Sequence, residues 1–450
     1  MKLPLLNSHR KVAQLFALFM SAMFFYSCDE LYEEIIRHPS KTAQEESANV
    51  VYDWYDLIAK IELRRTPQPN VLANNRAFGY IGVGLYETVR PGIRGAVSLS
   101  TKLYQMPPMP TPEPGREYLW GASANASLAS MYKQLLVGLT DSDRARMDSL
   151  ENAYNNRYRL STADAVLTRS QAHGRAVASA IYAWSATDNF NTGSQGYVLP
   201  VFPGSWVLTP PAFAAPQGPF LQNSRPFLAH SLTATAPPLP VAYSEDPSSE
   251  FYKQAKEVYD IGKALTTEQR ATANWWADAG GVGVGVPAPY HGLNIITGLL
   301  KSQNARLGRA AEVYAKTGIA MKDGPINTFR GKYQYNLLRP VTYIQRLIDP
   351  TWQSYLPNPP YPEYPSGLVG HNAPVTQVLI REFGDIPVTD NTYTWRGLPA
   401  RQYPSISAMR EEAAFSRIYA GIHYRFTQLA SIQMGIELGN RIADLNLTPN

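Results

Sequence analysis

Apolar side chains recur at helical spacing along most of this chain. Val51, Trp54, Tyr55, Ile58 and Ile61 mark one face of an amphipathic helix. Residues 70–89 predict a second helix, rich in Gly and Ala and so suited to close packing. Residues 119–139 and 143–158 predict a helical pair joined by a short turn. Ser161-Thr-Ala-Asp164 reads as a capping box that opens a helix running to about residue 184. The periodicity then stops. Residues 188–247 carry Pro210-Pro211, Pro237-Pro238 and Pro240, and so long an irregular stretch reads as a lid or cover. Asp246-Pro247 reads as N-cap and first residue of the next helix, with Phe251, Ala255, Val258, Ile261 and Leu265 on one face. Residues 279–292 are Gly-rich and read as a loop near the site. Further helices are predicted at 308–332, 369–383 and 408–441. Few segments alternate with period two, so the expected fold is all-α, built from helical bundles with long Pro-rich loops.

Composition narrows the class. The 450 residues are 44% hydrophobic and 17% charged, which excludes a disordered chain and supplies a large core. The net charge of +5 is small and dispersed, with no basic stripe, so nucleic acid is not an expected partner and an anion site suits it better. A single cysteine excludes an intrachain disulfide and a thiolate zinc cluster.

That cysteine ends an address. Lys2, Arg10 and Lys11 precede an apolar run from Val12 to Phe25, shorter than the roughly 20 residues of a membrane span. Ser27-Cys28 closes it in the manner of a bacterial lipoprotein signal, with Cys28 as the lipidated mature N-terminus. An ordinary secretory signal is the alternative. Asp29-Glu30 resembles the start of surface-exported lipoproteins of Gram-negative bacteria. The expected organisation is a signal peptide over 1–27 and a tether over 28–45. An N-terminal helical half with its cover loop follows over 46–245, and a C-terminal half with the functional site over 246–450. Such a protein would be held at the outer membrane through its lipid.

Three clusters in the last third carry chemistry: Lys332 to Arg339-Pro340, Tyr361-Pro-Glu-Tyr-Pro365-Ser366-Gly367, and Ser416-Arg417 to Gly421-Ile-His423. Together they hold three cations, a hydroxyl, a glycine opening a helix and a histidine. Arginine forks, a lysine charge and the N–H groups of a helix N-terminus are the means of holding a tetrahedral oxyanion. On an unbroken helix Lys332 and Arg339 would sit about 10 Å apart along the axis. Pro340 places Arg339 beyond the helix that ends near Lys332. Arg417 and His423 would diverge by roughly 120° on a straight helix and meet only if it breaks, for which Gly421 is suited. No zinc-protease motif, phosphate loop or serine elbow is present.

In order and spacing the clusters resemble the signature of vanadium-dependent haloperoxidases and type 2 phosphatidic acid phosphatases: K-x6-R-P, P-S-G-H and S-R-x5-H. The segments Asn74–Glu87, Ala242–Ser249 and Tyr361–Pro365 resemble bacterial secreted members, and the likeness runs from about residue 46 onward. The resemblance implies a vanadate cofactor, with hydrogen peroxide and halide as substrates. Lys332, Arg339 and Arg417 would neutralise its oxygens, Ser366 and the Gly367 N–H would donate to it, and His423 would bind the vanadium. In the phosphatase branch His423 would instead attack the phosphorus of a phosphate ester, and no cofactor is needed.

Two departures follow. The family's acid/base histidine after P-S-G is Leu368 here, and His371, one helical turn on, is the candidate substitute. The acidic residue that often follows the axial histidine is also missing, with Thr427 at that place. His291 is a candidate pocket residue or a structural one. The readings left open are a haloperoxidase, a phosphatase, an oxyanion-binding lipoprotein weakened by Leu368, and a glycan-binding surface lipoprotein that would leave the cations unexplained.

Overall fold

The computed structural model describes residues 41–65, 70–278 and 286–447. The signal-like segment with Cys28 and the run Gly281–Gly285 lie outside the described residues. The helices are α1 (Asn49–Glu62), α2 (Val71–Val89), α3 (Trp120–Leu135), α4 (Asp141–Arg159), α5 (Asp164–Ser185), the single turn α6 (Ser231–Ala234), α7 (Glu250–Lys263), α8 (Thr267–Trp275), α9 (Ala288–Ser302), α10 (Leu307–Tyr335), α11 (Pro340–Leu347), α12 (Gly367–Phe383), α13 (Ile406–Tyr419) and α14 (Arg425–Ala443). Strands β1 (Val388–Asp390) and β2 (Arg401–Tyr403) form one antiparallel pair, with Thr389 opposite Gln402. The fold is all-α, and Thr42–Asn450 forms one unit.

The long helix α10 is the axis. It is buried on every side over most of its length, as expected of a helix enclosed by others. It packs chiefly on α2 and α12, α12 packs on α14, and α3 packs on α5. The α2–α10 contact is close because Gly82 has no side chain: a Cβ there would stand 2.3 Å from the Tyr314 carbonyl oxygen. Beside it the rings of Tyr55 and Tyr314 stack with centroids 4.0 Å apart.

Local signals shifted in three places. Capping boxes lie instead on α4, where Thr140 and Asp143 exchange hydrogen bonds, and on α8, where Thr266 and Gln269 do. Helix α5 instead starts at Asp164 without a side-chain cap, and Asp164 faces the positive end of the helix dipole. Asp246 accepts from the N–H and hydroxyl of Ser248 in a turn, both at 2.8 Å. The helix then begins at Glu250 under Ser249, whose Oγ accepts from the Tyr252 N–H. The expected loop through residue 292 ends early, because α9 starts at Ala288 behind Pro287 and carries His291.

The predicted helix over 408–441 is two helices. Gly421 adopts φ +77° between α13 and α14 and turns the chain there.

The proline-rich stretch is a stitched cover. Trp206 N–H donates to the Asn336 carbonyl at 2.6 Å, Leu338 N–H to Gly204 at 3.0 Å and Gln217 N–H to Pro360 at 2.8 Å. The Tyr364 hydroxyl donates to the Pro238 carbonyl at 2.6 Å.

Candidate active site

Four chain segments meet at the C-terminal end of α10. Lys332 lies in the last turn of that helix, which Asn336 ends in the left-handed conformation. Arg339 is the extended N-cap of α11, with Pro340 as first helical residue. The loop Tyr361–Pro365 leads into Ser366 and α12. Arg417 lies in the last turn of α13, and His423 follows the Gly421 turn.

Lys332 and Arg339 are fully buried and hold the loop backbone. Lys332 Nζ donates to the carbonyls of Pro362 (2.8 Å), Glu363 (3.1 Å) and Pro365. Three acceptors need three N–H groups, so the group is an ammonium, although burial and the Arg339 guanidinium press its pKa well below the ordinary lysine value. Arg339 donates to the carbonyls of Tyr361 (2.9 Å) and Ile422 (2.8 Å), and its Nη1 lies 3.2 Å from His423 Nε2. The Tyr361 ring covers both cations, 4.7 Å from Lys332 Nζ and 5.3 Å from Arg339 Cζ.

An apolar-walled cavity of about 370 Å³ lies beside this cluster. Gly367, Leu368, His371, Arg417 and His423 all reach it, with Leu72, Phe329 and Leu356 among its walls. Ser366 Oγ and Arg417 Nη2 are buried here with no hydrogen-bond partner among the described residues. Gly367 opens α12, whose first N–H groups have no acceptor within the helix. A Cβ on Gly367 would stand 3.2 Å from the Tyr361 hydroxyl, so glycine lets the helix start this close to the ring.

Charge is unbalanced. Three cations meet two carboxylates: fully buried Glu363 lies by Lys332 and Arg339, and Asp278 by Arg417. Glu363 accepts from His423 Nδ1 (2.8 Å), the Tyr424 N–H (3.1 Å) and the Thr427 hydroxyl (2.8 Å). Burial raises its pKa to about 7 against the pull of Arg339 and Lys332. Burial, followed by the charges of Arg339, Lys332 and Arg417, keeps His423 well below the usual imidazole range and therefore neutral. Burial lowers the Arg417 guanidinium only to about 10, so it stays charged at neutral pH.

Glu363 and Tyr361 are the residues sequence reasoning did not single out. The signal was their place in Tyr361-Pro-Glu-Tyr-Pro365, directly ahead of Ser366.

His371 lies one turn into α12, 3% exposed, and neither ring nitrogen has a partner among the described residues. Burial lowers its pKa to about 4. His291 does not line the cavity. It stacks on Trp276 and is held between Asp278 (2.7 Å) and Asp390 (2.8 Å), while Asp278 reaches the cavity wall.

Orphaned donors near a helix N-terminus, excess positive charge and a neutral imidazole suit an oxyanion. Comparison with known proteins bears on the fold. The family described as "VCPO second helical-bundle domain" matches residues 346–448. The structure of the first bacterial vanadium-dependent iodoperoxidase superposes with a TM-score of 0.80 at 29% identity, covering 89% of this chain and 96% of that one. A holo-type bacterial vanadium-dependent chloroperoxidase gives a TM-score of 0.62 at 15% identity, over 86% and 95% of the two chains. An apo-type chloroperoxidase gives 0.66 at 16%, over 90% and 98%, and at these identities the likeness is one of fold. No curated protein matches the sequence. Residues 346–448 thus match that helical-bundle family, and the chain as a whole has the vanadium haloperoxidase fold.

Proposed function

We propose that this protein is a vanadium-dependent haloperoxidase that oxidises halide with hydrogen peroxide. The observation that carries the reading is the pair of orphaned buried donors, Ser366 Oγ and Arg417 Nη2, beside neutral His423 at the start of α12. Ser366, the Gly367 N–H, Arg417 and His423 Nε2 would hold vanadate, with Lys332 and Arg339 supplying positive charge from behind Tyr361. When bound, vanadate would supply the Lewis acid that activates peroxide toward halide. The residues present fit that oxyanion in charge and in donor chemistry. The apolar walls exclude water and strengthen each charged contact.

Acid/base help is the weak part of the site. Leu368 supplies none, and His371 would serve as a neutral base rather than as an acid, because burial holds its pKa low. Slow turnover is the expected consequence.

The same neutral Nε2 suits attack on phosphorus, which supports phosphate ester hydrolysis as a second reading. The deciding assay is bromide- and iodide-dependent peroxide consumption by the vanadate-loaded protein, with His423→Ala as control. Vanadate-dependent turnover lost in the variant supports the peroxidase. A phosphohistidine trapped with a phosphate ester, without halide turnover, supports the phosphatase. Binding of either anion with no turnover leaves a silent oxyanion-binding relative. The signal ending at Cys28 supports a lipid-anchored protein at the bacterial outer membrane, and loss of membrane association in Cys28→Ser would test it.

A further inference from the structure

We propose that Glu363 is the positioning residue of the site: it fixes His423 as the Nδ1–H tautomer and so leaves Nε2, the atom that would meet the oxyanion, unprotonated. The proposal rests on the reading of His423 as the residue that meets vanadate or phosphorus. Two contacts on opposite sides of the ring require the same tautomer. Arginine has donors only, so the Arg339 Nη1 that stands 3.2 Å from Nε2 needs an acceptor there. The proton then belongs on Nδ1, where Glu363 Oε1 accepts it at 2.8 Å. An imidazole protonated on Nε2 would oppose two donors at one end and two acceptors at the other.

The carboxylate is itself held. Tyr424, the residue after His423, donates its N–H to the same Oε1, and Thr427 donates its hydroxyl to Oε2. Lys332 fixes the loop around it by bonding the carbonyls of Pro362, Glu363 and Pro365. The lysine therefore sets the height of the loop, the loop sets Glu363, and Glu363 sets the ring. Thr427 stands four residues after His423, on the first turn of α14. An acidic side chain at that point would reach the ring from the helix. This chain has the hydroxyl there and brings its carboxylate in from the loop.

The test uses full-length protein, wild type and Glu363→Ala, Glu363→Gln and Glu363→Ala/Thr427→Asp variants. Long-range ¹⁵N–¹H NMR of labelled histidine reads the His423 tautomer, and ⁵¹V NMR titration reads vanadate affinity. Wild type is expected to show the Nδ1–H form. Glu363→Ala should show mixed tautomers and about 10- to 100-fold weaker vanadate binding, the usual effect of losing a group that orients a ligand. Thr427→Asp in that background should restore the Nδ1–H form and at least about tenfold of the affinity. Should Glu363→Ala fail to fold, Glu363→Gln keeps the volume, and about tenfold weaker binding is expected of it. A folded variant that keeps both the tautomer and an affinity within about twofold of wild type overturns the proposal. A wild-type protein that binds no vanadate removes the haloperoxidase reading instead, and the tautomer comparison then decides the role of Glu363 alone.

Discussion

Arg417 and His423 stand on opposite sides of a single left-handed glycine, Gly421, and that break brings both to one cavity. On a continuous helix the two side chains would face roughly 120° apart. A Cβ at Gly421 would also meet Trp352 at 3.0 Å and Ser354 at 3.1 Å. Gly421→Ala is therefore expected to lower stability by about 1–2 kcal/mol from backbone strain. It should also weaken vanadate binding by displacing His423. Denaturant midpoints and vanadate titration of the variant check the two effects separately.

Leu368 faces the cavity at the point where a proton donor would be most useful. Leu368→His is expected to raise kcat for halide oxidation by roughly 10²-fold, the lower end of the gain from a positioned acid/base group. Vanadate affinity should change little, because Leu368 supplies no charge or donor. Steady-state peroxide consumption at saturating vanadate measures it. A lower kcat in the variant would count against the proposed reaction.

The buried imidazole of His371, without a hydrogen-bond partner among the described residues, makes a separate prediction about acid stability. Its folded pKa is lowered by burial to about 4, below the unfolded value near 6.5. Between those values the unfolded chain binds a proton that the folded chain does not, so stability falls as pH drops from about 6.5 to about 4 and then levels. The effect of this one group is about 3 kcal/mol at most. His371→Leu should flatten that limb of the stability–pH curve, and urea denaturation at several pH values between 4 and 7 reads it.

His291 gives the opposite sign. Burial works against its charge, yet the carboxylates of Asp278 and Asp390 prevail and raise its pKa to about 10. The stabilisation is complete below about 6.5 and is lost as pH rises through about 10. Asp390→Asn leaves a buried charge without one partner and is expected to cost about 3–5 kcal/mol. Thermal denaturation from pH 6 to 10.5 should show the wild-type decline reduced in the variant.

The sequence made the helical frame legible where one face is apolar, as along Val51 to Ile61, and where spacing carries chemistry, as from Lys332 to Arg339. The turn at Gly421 could be anticipated because Arg417 and His423 cannot otherwise meet. Helix α9 was hidden by the Gly-rich run before it, since glycine weakens the local preference that tertiary packing then overrides. The partnership of Glu363 with His423 was not legible. Sixty positions separate them, and Arg339, which donates to the carbonyls of both Tyr361 and Ile422, ties their segments together. The carboxylate comes from the loop ahead of Ser366 and meets the ring beside Thr427.

The cover over residues 188–247 meets the functional loops largely through main-chain hydrogen bonds, at Trp206–Asn336, Leu338–Gly204 and Gln217–Pro360. A peptide group is the same whatever side chain it bears. The amino acids of this segment can therefore change during evolution while its attachment persists. Gln217, which forms part of the cavity wall, is such a position. Side chains at the cavity wall can vary while the groups beneath the cover stay fixed, so descendants of this fold can diverge in what the cavity admits without rebuilding its floor.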